Sequence, residues 1–140
     1  MNRPIQFEVE MLIDHLKLKI NSPVYIGWPQ GTEHGLYVFP YSVNRDVLLR
    51  NAAPNRMTTS DRENIHLNVS VVVMTNPESD LSLLGEAITV IHASPQLGNS
   101  SLLVHVEMLD VPIQDSTQLF MARNAPLRPC VFYSLKSPSI

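Results

Sequence analysis

The sequence predicts an α+β domain built on one sheet, mixed or mostly antiparallel, with helices packed on one face. Three observations carry that expectation. Near the start, Ile5, Val9, Leu12, Ile13, Leu16 and Ile20 form one apolar stripe at about 100° per residue, the spacing of an amphipathic helix. In the middle, Ile65, Leu67, Val69, Val71 and Val73 alternate with His66, Asn68, Ser70, Val72 and Met74, the period of a strand with one buried face. Segments of the two kinds then follow one another in the order α-β-β-loop-β-α-β-α-β, with no internal repeat.

Each element has its own signals. The first helix spans residues 4 to 20: Pro4 is tolerated in a first turn, and Pro23 marks the exit because the residue before a proline avoids the α region. A second apolar set, Phe7, Met11 and Leu18, falls within about 40° on the opposite side of this helix. Two readings of it are open, cover by a neighbouring segment of the same chain or contact with another subunit. Glu8, Glu10 and Asp14 are expected on an exposed helical face. Val24–Gly27 and Leu36–Val43 read as strands separated by a turn-rich loop, and Pro40 places the second at a sheet edge or a bulge.

Residues 44 to 64 form a long polar stretch with Arg45, Arg50, Arg56 and Arg62 beside Asp46, Asp61 and Glu63; loops of this length tend to be functional or mobile, and both readings stay open. Asn76-Pro77 ends the central strand. Ser79 or Asp80 caps a second helix running to about His92, with Leu81, Leu84, Ala87, Ile88 and Ile91 inward. Gly85 costs that helix about 1 kcal/mol relative to alanine and lies one ridge beside the stripe, where it admits close backbone packing. Leu102, Val104, Val106 and Met108 alternate with Leu103, His105, Glu107 and Leu109 in another strand, ended by Pro112. Asp115 or Ser116 starts a short helix over 117–123, and a proline-stiffened link leads to a last strand over 130–136.

Composition bounds the function. The 140 residues suit a single domain over 1–140, and a 44% hydrophobic content supplies a core. Charged residues make up 16%, below the usual ~25%, which leaves surface that partner chains could cover. Ten basic against 13 acidic side chains, net −3, lack the basic excess that a nucleic-acid binder uses against phosphates. No apolar run approaches the ~20 residues of a membrane span and no signal peptide is evident, so direct membrane insertion is not expected. The single cysteine, Cys130, fits a reducing compartment, and the cytoplasm is the expected location.

No constellation of catalytic residues stands out, and no metal or cofactor is expected. His15, His34, His66, His92 and His105 show no ligand spacing, although His66 and His105 could share the outward face of neighbouring strands. Cys130, ahead of an aromatic strand, reads as a small core residue and not a nucleophile. The glycines of 27–35 are interrupted by Trp28, Pro29 and Glu33 and lack the lysine of a phosphate-binding loop.

The second half carries a resemblance. Leu83-Leu-Gly-Glu-Ala-Ile-Thr-Val-Ile-His-Ala-Ser-Pro95, a strand, then Leu119-Phe-Met-Ala-Arg-Asn-Ala-Pro-Leu-Arg-Pro-Cys-Val-Phe-Tyr133 resembles the N-terminal domain of one family. These are the cap, or tail-terminator, proteins of contractile injection systems of the antifeeding-prophage and Photorhabdus-virulence-cassette type. The first half agrees in its opening helix, in Leu36-Tyr-Val-Phe-Pro-Tyr-Ser-Val43 and in Arg50-Asn51 within the long loop. Two departures are visible: Leu67-Asn-Val-Ser-Val-Val-Val-Met-Thr75 replaces an aromatic-leucine stretch, and Cys130 stands where a serine is frequent.

The resemblance implies a tail-terminator-like fold and a structural, non-enzymatic role. It implies a homo-oligomeric ring, expected to be a hexamer, on the end of an inner tube, joined to the last sheath layer and ending polymerisation. Assembly would take place in the bacterial cytoplasm, within a contractile injection particle. Ring subunits meet through head-to-tail interfaces that close under rotation. The candidates for contact are Phe7, Met11 and Leu18 together with Arg45, Arg50, Asn51, Arg56 and Arg62. Alternatives stay open: a phage tail-completion or connector protein, a ligand-binding module with the 28–34 loop as the mouth of a pocket, or a small metal-dependent enzyme using His66 and His105.

Overall fold

The structure, a computed structural model, describes residues 4–45, 67–98 and 103–136. Nine elements follow in order: α1 (Pro4–Lys19), β1 (Val24–Ile26), β2 (Gly35–Arg45), β3 (Leu67–Asn76), α2 (Leu81–Ala93), β4 (Gln96–Gly98), β5 (Leu103–Leu109), α3 (Ile113–Ala122) and β6 (Val131–Lys136). The strands form one six-stranded sheet in the order β1-β2-β3-β6-β5-β4. Every neighbouring pair is antiparallel except β1 and β2, which run parallel. The mixed, mostly antiparallel sheet expected from the sequence is therefore present. The short β4 was not expected, because the three residues after Pro95 carry no periodicity of their own.

The stripe of α1 is buried at Val9, Leu12, Ile13, Leu16 and Ile20. It lies on the sheet face made by Leu36 and Val38 of β2, Val69, Val71 and Val73 of β3, Tyr133 and Leu135 of β6, and Val104 and Val106 of β5. Helix α2 covers the same face with Leu83, Leu84, Ala87 and Ile91. Its start is fixed by Asp80, whose carboxylate accepts the Leu83 N–H at 3.1 Å and so satisfies one of the free donors of the first turn. The inward stripe is rotated from expectation: Leu81 is exposed and Leu83 is buried. With Ile88 and Val90 both packed against the core, the stripe centres on Ala87, about 120° from Leu81 on the helical wheel. Gly85 faces open space, where an added Cβ meets nothing within 4 Å, so it serves no close packing among the described residues.

The opposite face differs from the expectation that helices occupy one side. Here Tyr37, Val72, Met74 and Phe132 form a second cluster with Phe120 of α3. The two longer helices share one face, and the short third helix reaches the other. Strand β3 is consequently buried on both sides from Val69 to Thr75, not on one. The uninterrupted Val71-Val-Val-Met74 is the physical reason, since both pleat directions are apolar there. Helix α3 also begins four residues earlier than the sequence suggested, after Pro112, and ends where Asn124 takes the left-handed conformation at φ 55°.

Pro40 lies at a bulge, as its position implied: the β2–β3 register shifts between Pro40 and Ser42. Leu36 donates to Pro23 and Val38 accepts from Gly27 on the β1 side of β2, so by alternation Pro40 turns its missing N–H to that outer side. Strand β1 pairs only with Leu36–Val38, so no β1 bond is lost at Pro40.

Candidate protein interface

Of the residues singled out for subunit contact, Phe7 and Met11 are half-buried and packed against the main core. Leu18, on the same side of α1, is 82% exposed. The set is thus divided, with an inner part held by this chain and an outer part open to a partner. Arg45 closes β2, and its side chain, like Arg50, Asn51, Arg56 and Arg62, lies outside the described residues. Glu8 corrects an expectation: it is fully buried and retains a polar or electrostatic interaction. Helix α1 touches α2 and β4 as well as the central strands, so its flanks lose water along with its stripe.

Side chains and turns converge at the sheet end where β2 starts and β3 finishes. The Asn76 amide donates to the Gly31 and Glu33 carbonyls at 3.1 and 2.8 Å, and the Tyr37 hydroxyl donates to Glu33 at 3.0 Å. These bonds fold the 27–34 loop back over the second face. There Trp28 meets Phe39 and Phe120 edge-on with centroids 5.1 Å away, and the Arg123 guanidinium sits 5.2 Å from the centroids of Trp28 and Phe39. Trp28 thus packs into an aromatic cluster. From the following link, Arg128 Nη1 donates to the Thr75 carbonyl at 3.0 Å and ties the approach of β6 to the end of β3.

The thiol beside this link is shielded. Burial pushes the Cys130 thiol up to about 11, with Arg128 acting weakly the other way, and a protonated half-buried thiol is a poor nucleophile. His105 is exposed on β5 beside the Gln96 amide at 3.1 Å. Strand β6 lies between β3 and β5, so residues of those two strands are not neighbours across the sheet; His66 itself lies outside the described residues. Among the described residues no group of three or more His, Cys, Asp or Glu could hold a metal ion, and no helix is long and apolar enough to cross a membrane.

The feature that sequence reasoning missed is exposed apolar surface away from α1. Ile26 (55%), Ile113 (69%), Met121 (71%) and Leu127 (51%) are all open. Ile113 and Met121 stand at i and i+8 on one side of α3, a spacing visible in the sequence once that helix is started at the right residue.

A mixed six-stranded sheet with two longer helices on one face and a short helix on the other defines an α+β fold of the tail-terminator kind. The profile of the Pvc16 N-terminal domain matches residues 9–140, and the chain belongs to that family. Among solved structures it is similar to the sheath/tube terminator of an extracellular contractile injection system, PVC, in its extended state. That likeness has a TM-score of 0.71 at 11% identity and covers 99% of this chain and 57% of the other. It is also similar to the tube-terminating cap of the anti-feeding prophage, with a TM-score of 0.74 at 12% identity over 98% of this chain and 55% of the other. The chain therefore spans a little over half the length of both terminators, and at these identities the likeness establishes the fold. No curated protein matches the sequence.

Proposed function

We propose that this chain is a structural cap subunit of a contractile injection particle. It forms a ring on the end of the tube, meets the last sheath layer and ends the polymerisation of both. The observation that carries this reading is the family match over 9–140, together with a fold shared across nearly the whole chain with two proteins described as terminators. The stoichiometry we assign is six, the assembly site is the bacterial cytoplasm, and the role is non-enzymatic. Leu18 and the arginine-bearing stretch from Arg45 through Arg50, Asn51, Arg56 and Arg62 supply candidate contacts to neighbouring chains. Phe7 and Met11 contribute their uncovered rims.

Deleting the gene in cells that make the particle tests the role. Negative-stain imaging is expected to show tubes of irregular length, restored to one length by the intact gene. Tubes of unchanged, uniform length in the deletion would overturn the reading.

A further inference from the structure

Arg123 is an exposed cation held in place without a counter-ion among the described residues. Its guanidinium carbon lies 5.2 Å from the ring centroids of both Trp28 and Phe39, beside the corner those rings make by meeting edge-on at 88°. Both rings are half-buried, and Trp28 is backed by Phe120, the buried residue of α3. Glu33, on the loop that carries Trp28, and Asp115, in the first turn of α3, are the acidic residues on the elements around it. Neither forms an ion pair with it; the ion pair among the described residues joins Lys136 to Glu107.

The end of α3 does not account for the cation either. The Leu119, Phe120 and Met121 carbonyls already accept backbone N–H groups from Arg123, Asn124 and Ala125, so they leave no call on the side chain. A guanidinium is a planar fork of N–H donors that fits a carboxylate through paired hydrogen bonds. Here the rings take water from one side of the fork and fix its position, so less freedom is lost when an acceptor arrives.

The same segment also offers apolar surface. Met121, held in one turn with Arg123 by the Asn124 bond of 2.9 Å, is 71% exposed, and Leu127 on the following link is 51% exposed. Arginine, methionine and aromatic side chains together are the composition of a protein contact. A phosphate-rich partner would call for a basic excess, and the chain carries net −3.

Resting on the reading of the chain as a cap, we infer that Arg123 fastens it to the filament end it covers. The occupant is a carboxylate on the contacting filament subunit, set among apolar side chains. It seats on the guanidinium, and Met121 and Leu127 meet the apolar side chains beside it.

Complementing the gene deletion with variants of Arg123 tests this, with the chain retained on isolated particles measured by immunoblot. Circular dichroism and Trp28 fluorescence of each purified variant report folding. R123M leaves an unbranched chain over the rings without the charge, and R123E reverses it. Both are expected to fold and to lower retention by about tenfold or more. R123K keeps the charge without the fork and should wash off at a salt concentration that leaves the wild type bound; it carries the test where R123M weakens folding. An acid-to-base substitution in a filament protein should restore R123E. Folded R123M and R123E retained at wild-type levels, or R123K as salt-resistant as wild type, would overturn the contact while leaving the cap role standing. Restoration of R123E only by changing a carboxylate of this chain would make the occupant a second copy and overturn the filament end as partner. Wild-type chain absent from intact particles would overturn both.

Discussion

Gly35 begins β2 at φ +156°, where an added Cβ would lie 2.7 Å from the Pro23 carbonyl oxygen and 2.9 Å from the Tyr25 ring. Backbone cannot yield as a flexible side-chain tip can, so Gly35→Ala should destabilise the fold by about 1–3 kcal/mol, read from urea unfolding. Gly85 predicts the opposite sign. It sits in a helix with open space around it, so Gly85→Ala should stabilise by about 1 kcal/mol in the same measurement.

Tyr133 offers a third residue-scale test. Its ring is buried in the main core, its hydroxyl has no hydrogen-bond partner among the described residues, and burial pushes its phenol up to about 12. The folded chain thus keeps a proton that the unfolded chain releases near 10, and Cys130 does the same between 9.0 and about 11. Their contribution to stability is intact below about pH 9 and falls as pH rises through the folded values. Tyr133→Phe should be neutral or stabilising at neutral pH and should flatten the alkaline fall; a steeper fall would contradict the assignment.

At the level of elements, the sequence told more about one face than about the other. The stripe of α1 and the period-two pattern of β3 and β5 follow from nearest-neighbour chemistry, and those elements stand where spacing put them. Less legible was the second face, because its cluster joins residues distant in sequence, Trp28 and Phe39 with Phe120 and Phe132. No local pattern announces which side of a sheet a ten-residue helix will choose. The run Val71–Met74 was the available signal, as two apolar pleat directions require two covers. Phe120→Ala should remove the anchor of α3 at a cost of about 3–5 kcal/mol and shift Trp28 fluorescence towards the solvent-exposed wavelength. An unshifted spectrum would mean that Trp28 does not rest on α3.

For the whole molecule, surface was harder to read than core. The sequence placed Leu18 on the open side of α1, but it could not show that Phe7 and Met11 on the same side would settle partly against the core. Nor could it show which apolar residues at strand and helix ends would stay open, since that depends on the lengths of β1 and β4 at the two sheet edges. Short edge strands leave little backbone for adventitious pairing. The cap reading places this chain at one position on the particle. Gold-labelled antibody against it, imaged on intact isolated particles, measures that position: the account predicts label at the end of the tube and sheath only. Label spread along the shaft, or particles of normal length that bear none, would contradict it.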